Sequence, residues 1–278
     1  MRIPPRISQI LAVALMALAT LVTLVVLVFI IVFILEKGLP VISRNFLLSN
    51  PRDMGKAGGI FPTILATILL PLLAIALALP LGVGTAVYLT EYTRETRFTR
   101  MIRFGTDCLA GIPSIIFGLF GFIFFVTLLQ MGWSLLSGGL TLALMILPTI
   151  IRTSEEAVKS VPQAYREVSY SLGATRWRTV TRVVLPNALP GILTGVMLGI
   201  GRSIGETAAV IFTAGASLRL PASVFDSVRT MSVHFYILAR EGLSQENAYG
   251  TAAVLILSVL LVNAVAYYLM HRYTKRNT

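Results

Sequence analysis

Residues 160–186 read SVPQAYREVSYSLGATRWRTVTRVVLP, a basic, amphipathic stretch between two apolar runs. Pro162 suits the start of a helix that places Tyr165, Val168, Ser169 and Leu172 on one face. Gly173 follows where a helix ends in a left-handed residue. A second short helix over 175–184 carries Arg176, Arg178 and Arg182 before Pro186 breaks it. Such a helix-turn-helix exposes an apolar stripe, which needs lipid headgroups or a protein groove to cover it.

The flanks say what surrounds this insert. Of 278 residues, 56% are hydrophobic and only 13% are charged, with mean hydropathy +0.83. A soluble domain carries about 25% charge, so much of this surface faces lipid. Charge-poor runs lie at about 7–35, 60–90, 104–129, 135–151, 189–216 and 250–270, and a helix of roughly 20 apolar residues crosses a bilayer. The first run is too long for a signal peptide and reads as a membrane helix. The net charge of +11 comes from arginines in the gaps between runs, without the basic stripe and interleaved aromatics of a nucleic-acid surface. Cys108, His234 and His271 form no metal pattern.

Lys and Arg set the orientation. With the N-terminus inside, the inner segments hold Arg2, Arg6, Arg94, Arg97, Arg100, Arg103, Arg152, Lys159, Arg166, Arg176, Arg178, Arg182, Arg272, Lys275 and Arg276, fifteen in all. The outer segments hold seven: Lys37, Arg44, Arg52, Lys56, Arg219, Arg229 and Arg240. Both termini are therefore expected to be cytoplasmic. Pro71, Pro80, Pro113 and Pro148 fall within spans, where bundled helices tolerate them. Gly82, Gly84, Gly111, Gly118, Gly121, Gly138 and Gly139 read as packing positions.

The insert resembles the EAA loop of bacterial ABC importer permeases: Glu-Ala-Ala, three residues, Gly, nine residues, Ile, one residue, Leu-Pro. Here Glu167, Val168 and Ser169 precede Gly173 by three residues, and nine more lead to Val183-Val184-Leu185-Pro186. The two alanines and the isoleucine are replaced; the glutamate, the glycine, the Leu-Pro pair and the spacing stand. The resemblance covers about 62–267. It implies an all-α polytopic membrane protein with six transmembrane helices, the type I ABC importer permease fold. Its cytoplasmic coupling helix, with Glu167, Val168, Ser169, Leu172, Gly173, Leu185 and Pro186, would sit in a groove of an ATPase subunit. No GxxxxGK[ST] loop occurs, so ATP hydrolysis falls to a partner chain.

The fifth run contains GIGRSIGETAAVIFTAG at 199–215. Arg202 and Glu206 are four apart, on one face of a continuous helix. An arginine at mid-bilayer costs about 2.5–3.5 kcal/mol, so it needs either a partner such as Glu206 or an anion in a path. The run GR-x-x-GET, the segment AGIPS with Phe117-Gly118, and LPTIIRTSEEA at 147–157 are similar to phosphate-specific ABC importer permeases, PstA type, with PstC type close. This implies substrate-path roles for Arg202, Glu206 and Arg152. Glu206 is expected either to accept a hydrogen bond from protonated phosphate or to pair with Arg202 in the empty protein. Asp107 reads as a carboxylate at the start of the third span, favoured by a helix N-terminus. The outer segment 217–249 is expected to help close an outer gate or touch a binding protein.

The expected divisions are 1–59, a membrane helix with an outer loop; 60–270, the permease core, its coupling loop at about 155–186; and 271–278, a basic cytoplasmic tail. The resemblance implies an inner-membrane, non-enzymatic transport subunit without a cofactor. Its implied partners are a second permease (PstC type), two ATP-binding subunits (PstB type), a phosphate-binding protein (PstS type) and the bilayer. Another oxyanion, sulfate or molybdate, and an ATP-independent transporter or channel are the alternatives.

Overall fold

The computed structural model describes residues 5–277; Arg2, counted among the inner cations, and Thr278 of the expected tail lie outside them. Helix α1 (Pro5–Gly38) is followed by the short α2 (Arg44–Leu48) and a hairpin of β1 (Pro51–Arg52) with β2 (Ala57–Gly58). Helix α3 (Phe61–Val87) continues through a wide π turn (Tyr88–Tyr92). Next come α4 (Arg97–Ala110), α5 (Ser114–Gly121) with its π turn (Phe122–Leu128), and α6 (Leu135–Ser160). The insert holds α7 (Gln163–Ser171) and α8 (Arg176–Thr179); a π turn (Val180–Val184) leads into α9 (Leu185–Ile204). Helices α10 (Ala208–Thr213), α11 (Met231–Arg240) and α12 (Gln245–Asn277) complete the chain. By length and composition five helices suit a membrane, and six if the bent pair α4–α5 counts as one.

The core is built on α6, packed against α3 on one side and α9 on the other. Ala66, Leu70, Ala74, Ala78, Gly82 and Ala86 recur every four residues along α3, and all are buried. Mostly small side chains on that line let the helices approach closely, the usual device where lipid offers no hydrophobic driving force. A Cβ on Gly82 would lie 2.6 Å from Ile150 Cγ2. Gly118, Gly121, Gly138 and Gly139 likewise face neighbouring elements. Gly84 faces open space and Gly111 meets only its own turn, so those two are not packing positions. Helix α1 stands outside, touching mainly α12, with Phe33 edge-on to Tyr249 at 6.0 Å.

Three expectations about the spans change. The third run is not one helix: α4 and α5 meet at 101°. Gly111 closes α4 and Pro113 precedes α5, a pairing that stops one helix and starts another. Asp107 consequently lies in the last turn of α4 rather than at a helix start, and Pro113 sits at the elbow rather than within a span. The fifth run is broken after Ile204, and only the short α10 follows. Pro186 does not end a helix, because residues Arg176–Ile204 form one 29-residue span. The π turn just before it absorbs the clash that a proline ring makes with the carbonyl four residues back. The fourth run, short in sequence, extends along α6 to Ser160 and is the most buried span. Helix α12 continues as one helix through the expected tail as far as Asn277.

Candidate functional site

The insert folds as two faces. Tyr165, Val168 and Leu172 are exposed, Leu172 by 83%, and Trp177 joins them from α8. Glu167 is also exposed. Ser169, expected on the same stripe, turns inward: it is buried and its hydroxyl meets Thr179 Oγ1 at 2.8 Å. The helical pitch explains the split, since Tyr165, Val168 and Leu172 follow a three- and four-residue step while Ser169 falls on the line of Arg166. Gly173 has φ +76° with open space around it, so glycine is needed there for backbone conformation alone. Val180 and Val184 pack with Val158, Val161 and Ala188, which seats the base of the insert. Leu185 is half-buried against that cluster and Pro186 is exposed.

Under α7 lies a group that sequence reasoning missed. Arg166 is only 8% exposed. Its Nη2 and Nε donate to Glu91 Oε1 at 2.6 and 3.0 Å. Its Nη1 and Nη2 donate to the carbonyls of Val161 (2.7 Å) and Val158 (2.9 Å), where α6 ends. A cation is favoured at a helix C-terminus, where carbonyls lack intrahelical partners. Glu91 belongs to the π turn after α3, 75 residues away in sequence. The guanidinium of Arg176 also lies over the Tyr92 ring, 5.8 Å from its centre.

The expected path residues are not gathered in one place. Arg202 occupies the last turn of α9, half-buried. Glu206 follows in the break between α9 and α10, so the two do not share a helical face. Among the described residues neither enters an ion pair. The backbone carbonyl of Glu206 accepts from Ser232 Oγ at 2.7 Å, which ties the break to α11. Beside it a cleft of about 840 Å³ opens between α5, α10 and α11, with Phe122, Trp133, Thr207, Phe212 and Tyr236 on its walls.

Arg152 lies nearer the cytoplasmic end of the bundle, exposed, with Asp107 Oδ1 at 3.2 Å and Glu156 Oε1 at 3.7 Å. Across the α6–α9 contact Gly191 meets Ala157, Gly195 meets Thr153 and Gly199 faces Ile146. Arg202 is therefore level with about residues 143–146, roughly 9–14 Å along the axis from Arg152 at 1.5 Å per residue. Close to Arg152, Glu155 holds Lys159 (2.6 Å) and lies 2.8 Å from Arg103 Nε, near but not aligned for a hydrogen bond.

The outer segment is more ordered than a loop. Asp226 Oδ2 accepts from the backbone of Ala222 and Ser223, and Thr230 caps α11. Val233 and Leu238 are fully buried. His234 is buried too, beside Arg229 (3.4 Å), and its pKa is pushed down to about 4 by burial first and by the Arg229 charge second. Burial also lowers the pKa of Arg229, against a smaller opposing pull from Glu241.

Known proteins of similar sequence and shape agree with this architecture. A probable ABC transporter permease protein, YqgI of Bacillus subtilis, is 32% identical over 253 residues, 85% of this chain and 86% of that one. Phosphate transport system permease proteins named PstA are 33% identical in Xylella fastidiosa (88% and 86% of the two chains) and 31% in Pasteurella multocida (84% of each). Among solved structures, a bacterial ABC transporter for alginate import superposes with TM-score 0.70 at 16% identity, over 96% of this chain and 97% of that one. The MetNI methionine ABC transporter gives 0.61 at 19% identity, over 77% and 94%. These two show the type I importer permease fold. Residues 78–278, from within α3 onward, match the family described as "binding-protein-dependent transport system inner membrane component". The chain belongs to that family of multi-pass inner-membrane permeases.

Proposed function

We propose that this chain is one permease subunit of an ATP-driven phosphate importer and forms half of its translocation path. The observation that carries the cargo is Arg202, a guanidinium inside an apolar span with no acidic partner among the described residues. An unpaired arginine there costs about 2.5–3.5 kcal/mol, and its planar fork of donors matches phosphate oxygens. The relatives named as phosphate permeases support this reading. Arg152, deeper toward the cytoplasm and already shared with Asp107 and Glu156, would meet the ion later and hold it weakly. Weak, separated stations suit a path that must release its cargo.

In this reading the exposed Tyr165, Val168 and Leu172 enter the groove of an ATP-binding subunit, while Glu167 and Gly173 set the end and polarity of the helix that does so. Leu185 and Pro186 mark where the insert rejoins the span. One coupling helix serves one ATPase contact, so the complex needs a second permease of the PstC type, two ATP-binding subunits of the PstB type and a binding protein of the PstS type. The subunit itself is a transport component and not an enzyme.

Glu206 supplies the selectivity. Protonated phosphate donates a hydrogen bond to its carboxylate, whereas sulfate, fully ionised, only repels it. The test is uptake of phosphate in proteoliposomes holding the full complex, with sulfate and molybdate as competitors. Phosphate alone is expected to be taken up well, and Glu206→Gln is expected to lose discrimination against sulfate. Equal or better discrimination by that variant removes the role given to Glu206, and preferential sulfate or molybdate uptake by the wild type removes the phosphate assignment.

A further inference from the structure

The coupling helix reaches the spans by a narrow route. It packs on α8 and the π turn that run on into α9, but its chain link to α6 is only Val161 and Pro162. That packing carries α7 with α9; relative to α6 and α3, a helix held by a two-residue turn pivots when pushed. Moving the spans requires a rigid connection, since a rigid-body motion is passed on only through elements that do not yield.

Arg166 is placed to be that connection. It projects from α7 inward, opposite the exposed docking face, and its four hydrogen bonds end on two other elements: Glu91 at the end of α3, and the carbonyls of Val158 and Val161 at the end of α6. Both charged side chains are buried, Arg166 at 10% and Glu91 at 7% side-chain exposure. Every other ion pair among the described residues has at least one partner 27% exposed or more. Burial shields this pair from water and salt, and its planar fork fixes direction as well as distance. The neighbouring contacts stiffen the same joint: Ser169 to Thr179 locks α7 to α8, and Arg176 over Tyr92 brings α8 to the end of α3.

We propose that Arg166, through Glu91 and the end of α6, is the strut that makes the coupling helix and spans α3 and α6 move as one body. It is a positioning residue, acting on transport without touching cargo or nucleotide. The proposal rests on the importer reading above.

The experiment measures phosphate transported per ATP hydrolysed in the reconstituted full complex. Arg166→Gln and Glu91→Gln are each expected to lower this ratio by about 2- to 30-fold, the range over which coupling positions act, while ATP hydrolysis continues. A second readout is independent of cargo. With the single native cysteine, Cys108, replaced by serine, spin labels at Ser171 on α7 and Leu81 on α3, both exposed, report their separation with and without ATP. The separation is expected to stay fixed in the wild type and to change with ATP in Arg166→Gln. Where Arg166→Gln does not assemble, Arg166→Lys, which keeps the charge but not the fork, is expected to show a smaller fall in the ratio. An unchanged ratio with a fixed separation in the variants overturns the strut. Absence of phosphate transport by the wild type strikes the importer reading instead, and the label separation still decides whether α7 and α3 move together.

Discussion

Arg166 and Arg202 are both placed by an apolar chain away from bulk water, and they keep different company. Beneath the amphipathic insert, Arg166 directs four hydrogen bonds to one carboxylate and two helix-end carbonyls. In the last turn of α9, Arg202 has no acidic partner among the described residues, and Glu206, four positions on, is carried away by the end of the helix. A cation fully satisfied by its own protein is a mechanical part. One left unsatisfied in a membrane span is available to an anion. In the reading proposed above, the division between transmitting force and binding cargo lies in how each charge is compensated.

The sharpest way to break this comparison is at Glu91. Glu91→Ala leaves Arg166 buried without its counter-ion, and loss of one member of a buried pair destabilises by about 3–5 kcal/mol. Thermal unfolding of the purified chain in detergent should show a clear loss, and an unchanged midpoint would contradict the paired-charge account. Arg202→Ala should behave oppositely, with stability unchanged or raised by as much as about 2.5–3.5 kcal/mol, because an uncompensated charge leaves the span. A pronounced destabilisation in the same assay would mean that Arg202 is a structural group.

Gly173→Ala acts on the insert alone. The left-handed backbone at φ +76° penalises a Cβ by about 1–2 kcal/mol, read as faster amide exchange over 170–176 with the spans unaffected. A separate effect, read through pH, concerns the outer segment. His234 has a folded pKa of about 4, below its ordinary 6.5, so the unfolded segment binds the proton more readily. The stabilisation from the neutral ring is complete above pH 6.5 and is lost as the pH falls toward 4. Amide exchange in 231–240 should accelerate over that window, and His234→Gln should flatten the dependence.

Much of the fold was legible from residue patterns, and the exceptions have physical reasons. Apolar runs located the spans, because a bilayer demands length and hydrophobicity and little else. Run length carries no direction, so the 101° elbow at 111–113 and the break after Ile204 did not register. Gly111 with Pro113, and Gly205 ahead of Glu206, were the local signals for both. Spacing located the helix-turn-helix insert and the left-handed Gly173, since these depend on short-range geometry. Ser169 was misplaced because a stripe drawn from four residues allows two neighbouring lines on a helix. Arg166 with Glu91, and Asp107 with Arg152, are pairings 75 and 45 residues apart, and periodicity says nothing about those. A carboxylate closing an apolar run, as Glu91 does, was the one hint that a cation had to meet it.

The central claim is an ATP-driven path for phosphate in which Arg202 meets the anion. It is tested most directly by phosphate accumulation in proteoliposomes holding this chain with its second permease, ATP-binding subunits and binding protein. Accumulation should require ATP and should be lost in Arg202→Ala while that complex still assembles. Accumulation without ATP, or accumulation undiminished in Arg202→Ala, would contradict the account.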